Sequence, residues 1–298
     1  MMVENLRQAY AERIQATEWM SAATKAEAMK KLNAFAVKIG YPDKWKDYSA
    51  LTISRESALN NLFATAEWAS KDNLNHFGRP IDRGEWGMTP PTVNAYYNSS
   101  MNEIVFPAGI LQPPFYDPKA DDAVNYGGIG AVIGHEMTHG FDDQGRQYNS
   151  QGNLKDWWTK DDADKFNAKA DMVGKQYDAF MPLDSVHVNG KLTMGENLAD
   201  LGGLTIAYQA FEKTPQAKAQ AKIDGFLPEQ RFFLAFAQIW RTNIRPEAVR
   251  QQVQTDPHSP AQFRTNGPLM NMPEFYKAFG CQDGNKMMRA QTDRSKIW

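Results

Sequence analysis

"AVNYGGIGAVIGHEMTHGFDD", residues 123–143, runs through closely spaced glycines and alanines and then places two histidines four residues apart. The small residues predict a central helix that packs closely against its neighbours. On a helix, side chains four apart share a face, so His135 and His139 reach the same point. Two neutral imidazoles facing one point are a ready pair of zinc ligands. Glu136, one residue round the helix, can reach a water on that metal without binding it. The plainer account is two partly buried histidines paired with carboxylates on an amphipathic helix. With only five histidines in the chain, the choice turns on whether the rest of a metal site can be found.

Upstream, "WGMTPPTVNAYYNSSMNEIVFPAGILQPP" at 86–114 is rich in β-branched and aromatic residues. "TVNAYYN" and "NEIVFPA" read as two short strands forming a hairpin, and their prolines favour an edge position. Before it, residues 4–36 carry apolar positions at helical spacing and read as two helices broken near "SAAT". "IGYPDKW" at 39–45 reads as a loop, and residues 54–77 return to helix. Downstream of the central helix comes a loop of turn formers, then a helix from 159 with Thr159 as its N-cap. Two further helices follow, in "TMGENLADLGGLTIAYQAFEK" and "LPEQRFFLAFAQIWR", and then a loop-rich C-terminal region. The predicted fold is mainly α with a small mixed or antiparallel sheet, in the α+β class.

The 298 residues are 42% hydrophobic and 23% charged, a balance that allows one large core or two medium ones. Net charge is −2 and the pI is near 6.2, which disfavours nucleic acid or an anionic membrane as a partner. Cys281 is the lone cysteine, so no intrachain disulfide forms and no cysteine cluster holds the metal. The longest apolar run, "FFLAFAQIW" at 232–240, is far short of the roughly 20 residues needed to span a bilayer. The first residues lack the apolar core of a signal peptide.

A catalytic zinc needs a third protein ligand and an open fourth position. Positions 140–146 read "GFDDQGR", without the third histidine of the compact pattern. The candidate is Glu196 in "GENLAD", with Asp200 four residues on and on the same helical face. Glu196 would bind the metal, and Asp200 would take the second ring N–H of a ligand histidine and fix its tautomer. Alone, that pair would read as a solvated helix face; beside the histidines it reads as the missing ligand and its support. His258 in "TDPHSPAQFR" is a candidate oxyanion donor, oriented by Asp256, with Arg264 to bind a substrate carbonyl or carboxylate. On residues alone an exposed loop histidine is the plainer account of His258. His76 and His187 read as structural or surface residues.

Taken in order, "WGMTPPTVNAYYNSSMNEIVFPAGILQPPFYD", "NYGGIGAVIGHEMTHGFDDQGR", "DWW", "GENLADLGGL", "FFLAFAQIWR" and "DPHSPAQFRTNGPLMNMPEF" resemble the neprilysin and endothelin-converting-enzyme family of zinc metallopeptidases, especially its bacterial oligopeptidase members. The resemblance covers most of residues 80–298. It implies a thermolysin-like catalytic domain holding one zinc per chain on His135, His139 and Glu196, with Glu136 as general base and Asp200 behind a ligand histidine. It implies that Asn94 and Ala95 pair with the backbone of a bound oligopeptide, and that His258 and Arg264 serve as transition-state and carbonyl donors. Ile110, Phe115, Val132 and Trp240 match the family's apolar pocket, which implies cleavage before large hydrophobic residues.

Residues 1–80 read as a helical N-terminal part and 81–298 as the motif-bearing core of one catalytic domain. Family members are typically more than twice this length, so an N-terminal lid region is expected to be missing. That leaves three readings: an active zinc endopeptidase, a zinc-bearing fragment inactive without that region, and a non-enzymatic helical binding protein. An extracytoplasmic parent protein is favoured over a cytoplasmic one.

Overall fold

The computed structural model describes residues 1–298. Its centre is α7, Met194–Glu212, which is apolar round most of its circumference and buries Leu198, Leu201, Leu204, Ile206 and Phe211. A helix with no solvent face must be covered on all sides. α1, Met2–Ala16, covers one side with Leu6, Ala9, Tyr10 and Ile14, spaced as a single helical stripe. α6, Lys160–Asp178, lies against another, its first turn capped by Thr159 as the sequence predicts. α2, Ala22–Asn33, follows α1 and starts at Ser21, which is tied to Asp162 of α6.

The predicted central helix is present in two parts. α4, Asp122–Asn125, passes through a π-helical turn at Tyr126–Gly130 into α5, Ala131–His139. The widened turn releases the N–H of Ile129, which donates to the carbonyl of Phe115 at 2.7 Å. A Cβ on Gly128 would stand 2.4 Å from that same carbonyl oxygen, so glycine is what lets the two segments approach. Further along, a Cβ on Gly134 would stand 2.4 Å from the carbonyl oxygen of Gly203, so α5 and α7 cross backbone against backbone.

The sheet has three strands in the order β1, β3, β2: β1 is Ala36–Gly40, β2 is Tyr96–Asn98 and β3 is Glu103–Pro107. β2 and β3 form the predicted antiparallel hairpin, with Tyr96 opposite Val105. β1 was not foreseen; it pairs parallel to β3 with Ala36 opposite Glu103, over residues partly assigned to a loop. The proline expectation also needs correction. β3 is the central, buried strand, and it tolerates Pro107 because that residue is its last. β2 is the edge, and it is shorter than the predicted 92–98.

α3, Ala58–Asn75, forms where expected but buries no residue; Leu62 and Phe63 are 63% and 64% exposed. α8, Pro215–Ala219, and α9, Pro228–Ile239, lead into a C-terminal region that is helical rather than loop-rich. It holds α10 at Pro246–Thr255, α11 at Ala261–Leu269 and α12 at Pro273–Phe279. No helix is long and apolar enough to cross a membrane.

Candidate metal centre and its cleft

α5 and α7 bring three donor atoms together. His135 Nε2 and His139 Nε2 are 2.9 Å apart, and the Glu196 carboxylate lies 3.2 Å from the first and 3.5 Å from the second. The opposite ring nitrogens face carboxylates: His139 Nδ1 is 2.7 Å from Asp142, and His135 Nδ1 is 2.8 Å from Asp200. The first contact is an aligned hydrogen bond. The second has the distance of an ion pair but not the angle of a hydrogen bond.

This arrangement tests whether a metal fits. A carboxylate on each Nδ1 places the ring proton there and leaves the Nε2 lone pairs facing one another and Glu196. Three electron pairs converging in a buried site repel unless a positive charge stands between them. Atoms about 2.0–2.2 Å from a tetrahedral zinc stand about 3.3–3.6 Å from one another; the carboxylate separations of 3.2 and 3.5 Å lie near that range, and the imidazole nitrogens, at 2.9 Å, would part slightly around the ion. Two imidazoles and a carboxylate are a zinc-type donor set, so the residues fit the ion.

Proton affinities express the same demand for positive charge. Burial works against a charged His135, yet Asp200 and Glu196 outweigh it and raise the residue to about 10. Burial and His135 oppose charge on His139, and Asp142 overcomes them. Glu196 is held below the usual carboxylate range, its burial offset by His135, His139 and Arg264. Glu136 goes the other way, because burial pushes its carboxyl up.

Asp142 was missed in the sequence, although an aspartate three residues after a candidate ligand histidine on a helix end is a legible signal. Its second oxygen accepts the N–H groups of Gln144, at 2.9 Å, and Gly145, at 2.7 Å. A Cβ on Gly145 would lie 1.7 Å from the His139 carbonyl oxygen, so this return of the chain under the helix requires glycine.

The remaining predicted residues line one cleft of about 640 Å³ with the three donors. His258 reaches in from the loop before α11: Nε2 is 3.3 Å from Glu196, and Nδ1 is 2.7 Å from Asp256, the partner expected for it. Arg264 on α11 is more committed than its predicted role implies. It grips Asp200 through two nitrogens at 2.8 Å each, touches Glu196 at 3.3 Å, and lies 4.1 Å over the Trp240 ring. One terminal nitrogen is left for a ligand. Ile110, Phe115, Val132 and Trp240 supply apolar wall. Asn94 and Ala95 also line the cleft, just before β2, where the Asn94 side-chain oxygen accepts the Ala95 N–H at 2.9 Å.

His76 and His187 lie outside the cleft and bond to backbone carbonyls, consistent with structural or surface residues. Cys281 lines an apolar surface pocket beside α9 and α12, away from the donors.

Residues 94–295 match the model of peptidase family M13, and residues 1–42 match a second model of the same description. An endothelin-converting enzyme homolog from Locusta migratoria is 42% identical over 296 residues, covering 96% of this chain and 41% of the relative. Neprilysin from Homo sapiens is 38% identical over 310 residues, covering 100% of this chain and 41% of the relative. A crystal structure of the Mycobacterium tuberculosis zinc metalloprotease Zmp1 in complex with an inhibitor has a TM-score of 0.95 at 47% identity, covering 100% of this chain and 46% of that one. The chain therefore spans under half the length of these relatives.

Proposed function

This chain belongs to peptidase family M13, and from that premise we propose that it is the catalytic part of a zinc-dependent endopeptidase acting on oligopeptides. The observation that carries the reading is the convergence of His135, His139 and Glu196 at the floor of a cleft, with a carboxylate behind each imidazole.

Zinc held by those residues would supply Lewis-acid polarisation of the scissile carbonyl and a more acidic water. Glu136 takes the proton of the attacking water and returns it to the leaving amine; a carboxyl raised by burial suits both transfers. His258, oriented by Asp256, donates to the oxygen that gains charge in the transition state. Asp200 holds His135 and Arg264 in place, and the free nitrogen of Arg264 binds a substrate carbonyl. Asn94 and Ala95 hold the peptide extended alongside the β2 edge. The wall of Ile110, Phe115, Val132 and Trp240 accepts a large hydrophobic side chain after the scissile bond.

Metal content by elemental analysis, paired with cleavage of a quenched peptide carrying Phe or Leu after the scissile bond, tests this. One zinc per chain is expected, with turnover reduced about 10²–10⁴-fold in Glu136→Gln. Cleavage that persists in that variant, or that is indifferent to chelation, would sink the assignment.

A second reading has its own support. The chain spans 35–41% of the curated relatives it matches, and Leu59, Leu62, Phe63 and Leu74 of α3 are exposed. On this reading the site binds zinc but turns over only with an upstream region of the longer protein. Zinc bound without cleavage, and cleavage regained on adding that region, would favour it.

A further inference from the structure

Lys31 is a fully buried lysine that none of the proposed chemistry uses. It projects from α2, and its Nζ donates to the carbonyl oxygens of Gly145 and Tyr148, both at 2.6 Å. The same nitrogen lies 5.8 Å from the Tyr97 ring centre on β2 and 5.6 Å from that of Phe141. Its own carbonyl accepts from Asn102 in the β2–β3 turn at 3.1 Å. A lysine amine out of water carries a large desolvation cost, which only well-placed acceptors offset.

What those acceptors belong to gives the residue its meaning. Gly145, whose carbonyl Lys31 holds, donates its N–H to Asp142 at 2.7 Å, and Asp142 holds Nδ1 of His139 at 2.7 Å. Three consecutive short hydrogen bonds thus join α2 to a metal-ligand candidate. Tyr97 belongs to the strand that flanks the cleft.

We propose that Lys31 is a positioning residue for the metal centre: by fixing the Gly145 and Tyr148 carbonyls it clamps the loop that presses Asp142 against His139, and by lying beneath Tyr97 it ties that loop to the rim of the cleft. This rests on the reading of His139 as a zinc ligand. Without Lys31 the Gly145 carbonyl keeps only the Tyr148 N–H and the Tyr148 carbonyl only the Trp157 indole N–H; the tie from α2 to the loop is lost, the loop relaxes, and Asp142 no longer sets the direction of the His139 ring. Supporting carboxylates of this kind typically change metal affinity 10–100-fold when removed.

The test is a double-mutant cycle in zinc affinity, measured by competition with a chromogenic chelator, on wild type, Lys31→Met, Asp142→Asn and the double variant. Each metal-free protein is first checked for a cooperative melt. Lys31→Met is expected to bind zinc about tenfold more weakly, and the double variant no more weakly than Asp142→Asn alone, because both changes break one chain of contacts. The cobalt-loaded absorption bands should shift in Lys31→Met in the same direction as in Asp142→Asn. If Lys31→Met does not melt cooperatively, Lys31→Gln, which keeps a donor for one carbonyl, carries the cycle. Unchanged affinity, or effects of the two substitutions that multiply, would overturn the proposal and leave Lys31 as a packing residue. A wild type that binds no zinc would instead overturn the metal reading beneath it.

Discussion

Gly203 of α7 lies against the backbone of His135: a Cβ added there would stand 2.3 Å from the His135 amide nitrogen. The distance between the helix bearing the two histidines and the helix bearing Glu196 is therefore set by the absence of a side chain. Gly203→Ala forces the helices apart, at a cost of about 1–3 kcal/mol in stability. It should also weaken zinc binding, since Glu196 moves away from the imidazoles. Urea denaturation and zinc competition on the same preparation check this; an unchanged affinity would mean that Glu196 is not a ligand.

Zinc affinity should rise with pH. His135 in the metal-free protein is raised to about 10, so between pH 7 and 9 the metal displaces a proton. The expected gain approaches about tenfold per pH unit and levels off near the His135 value, with about one proton released per ion bound at pH 8. Calorimetry in buffers of different ionisation enthalpy counts that proton. A flat affinity over this range would show that His135 is already neutral before the metal arrives.

Removing Arg264 should cost more than removing the pair it belongs to. Asp200 is buried and depends on Arg264 for two of its short contacts, so Arg264→Met leaves a buried charge short of its partner. Loss of one member of such a pair costs about 3–5 kcal/mol. Adding Asp200→Asn should recover part of that loss in denaturation of the metal-free protein. Strictly additive losses would deny the pairing.

Lys31 makes its own contribution to stability against pH. Burial lowers it from 10.5 to about 7, with Asp142 pulling weakly the other way. Between those values the unfolded chain holds a proton that the folded chain lacks, so this residue makes stability rise with pH, by up to about 1.4 kcal/mol per unit. His135 works in the opposite sense over much of the same window, because its folded value exceeds its ordinary 6.5. The difference between wild type and Lys31→Met, from denaturation at pH 7, 8 and 9 without metal, isolates the lysine. That difference should grow with pH.

Filling the apolar wall should redirect specificity. Val132→Phe takes space from the pocket shared with Phe115 and Trp240, and the ratio of kcat/KM for Phe over Ala after the scissile bond should fall about 10–100-fold. Chain folding and zinc content should not change. An unaltered ratio would place the side-chain pocket elsewhere.

Most of the candidate metal centre was legible because metal-binding chemistry imposes spacing. His135 and His139 share a helix face, and Glu196 and Asp200 repeat that relation on the next buried helix. Lys31 was not legible: a lysine among charged neighbours on an amphipathic helix reads as solvent-facing, and only the fold brings the 145–148 loop onto it. β1 was hidden for a related reason, since its partner β3 lies more than sixty residues away in the chain. The C-terminal region reads as loop-rich, yet it holds three helices. Pro246 and Pro273 stand in first turns, where no helical N–H is lost and a fixed φ helps the helix begin.

The open side of β2 has a last consequence. A strand edge recognises backbone, and a peptide can line up on it only after giving up its own internal hydrogen bonds. A segment inside a folded domain must first open locally, and the free energy of that opening is subtracted from its binding. Loose chains meet no such toll. If peptides bind as proposed, the cleft would sort them, before any side chain is read, by how little structure they have to lose.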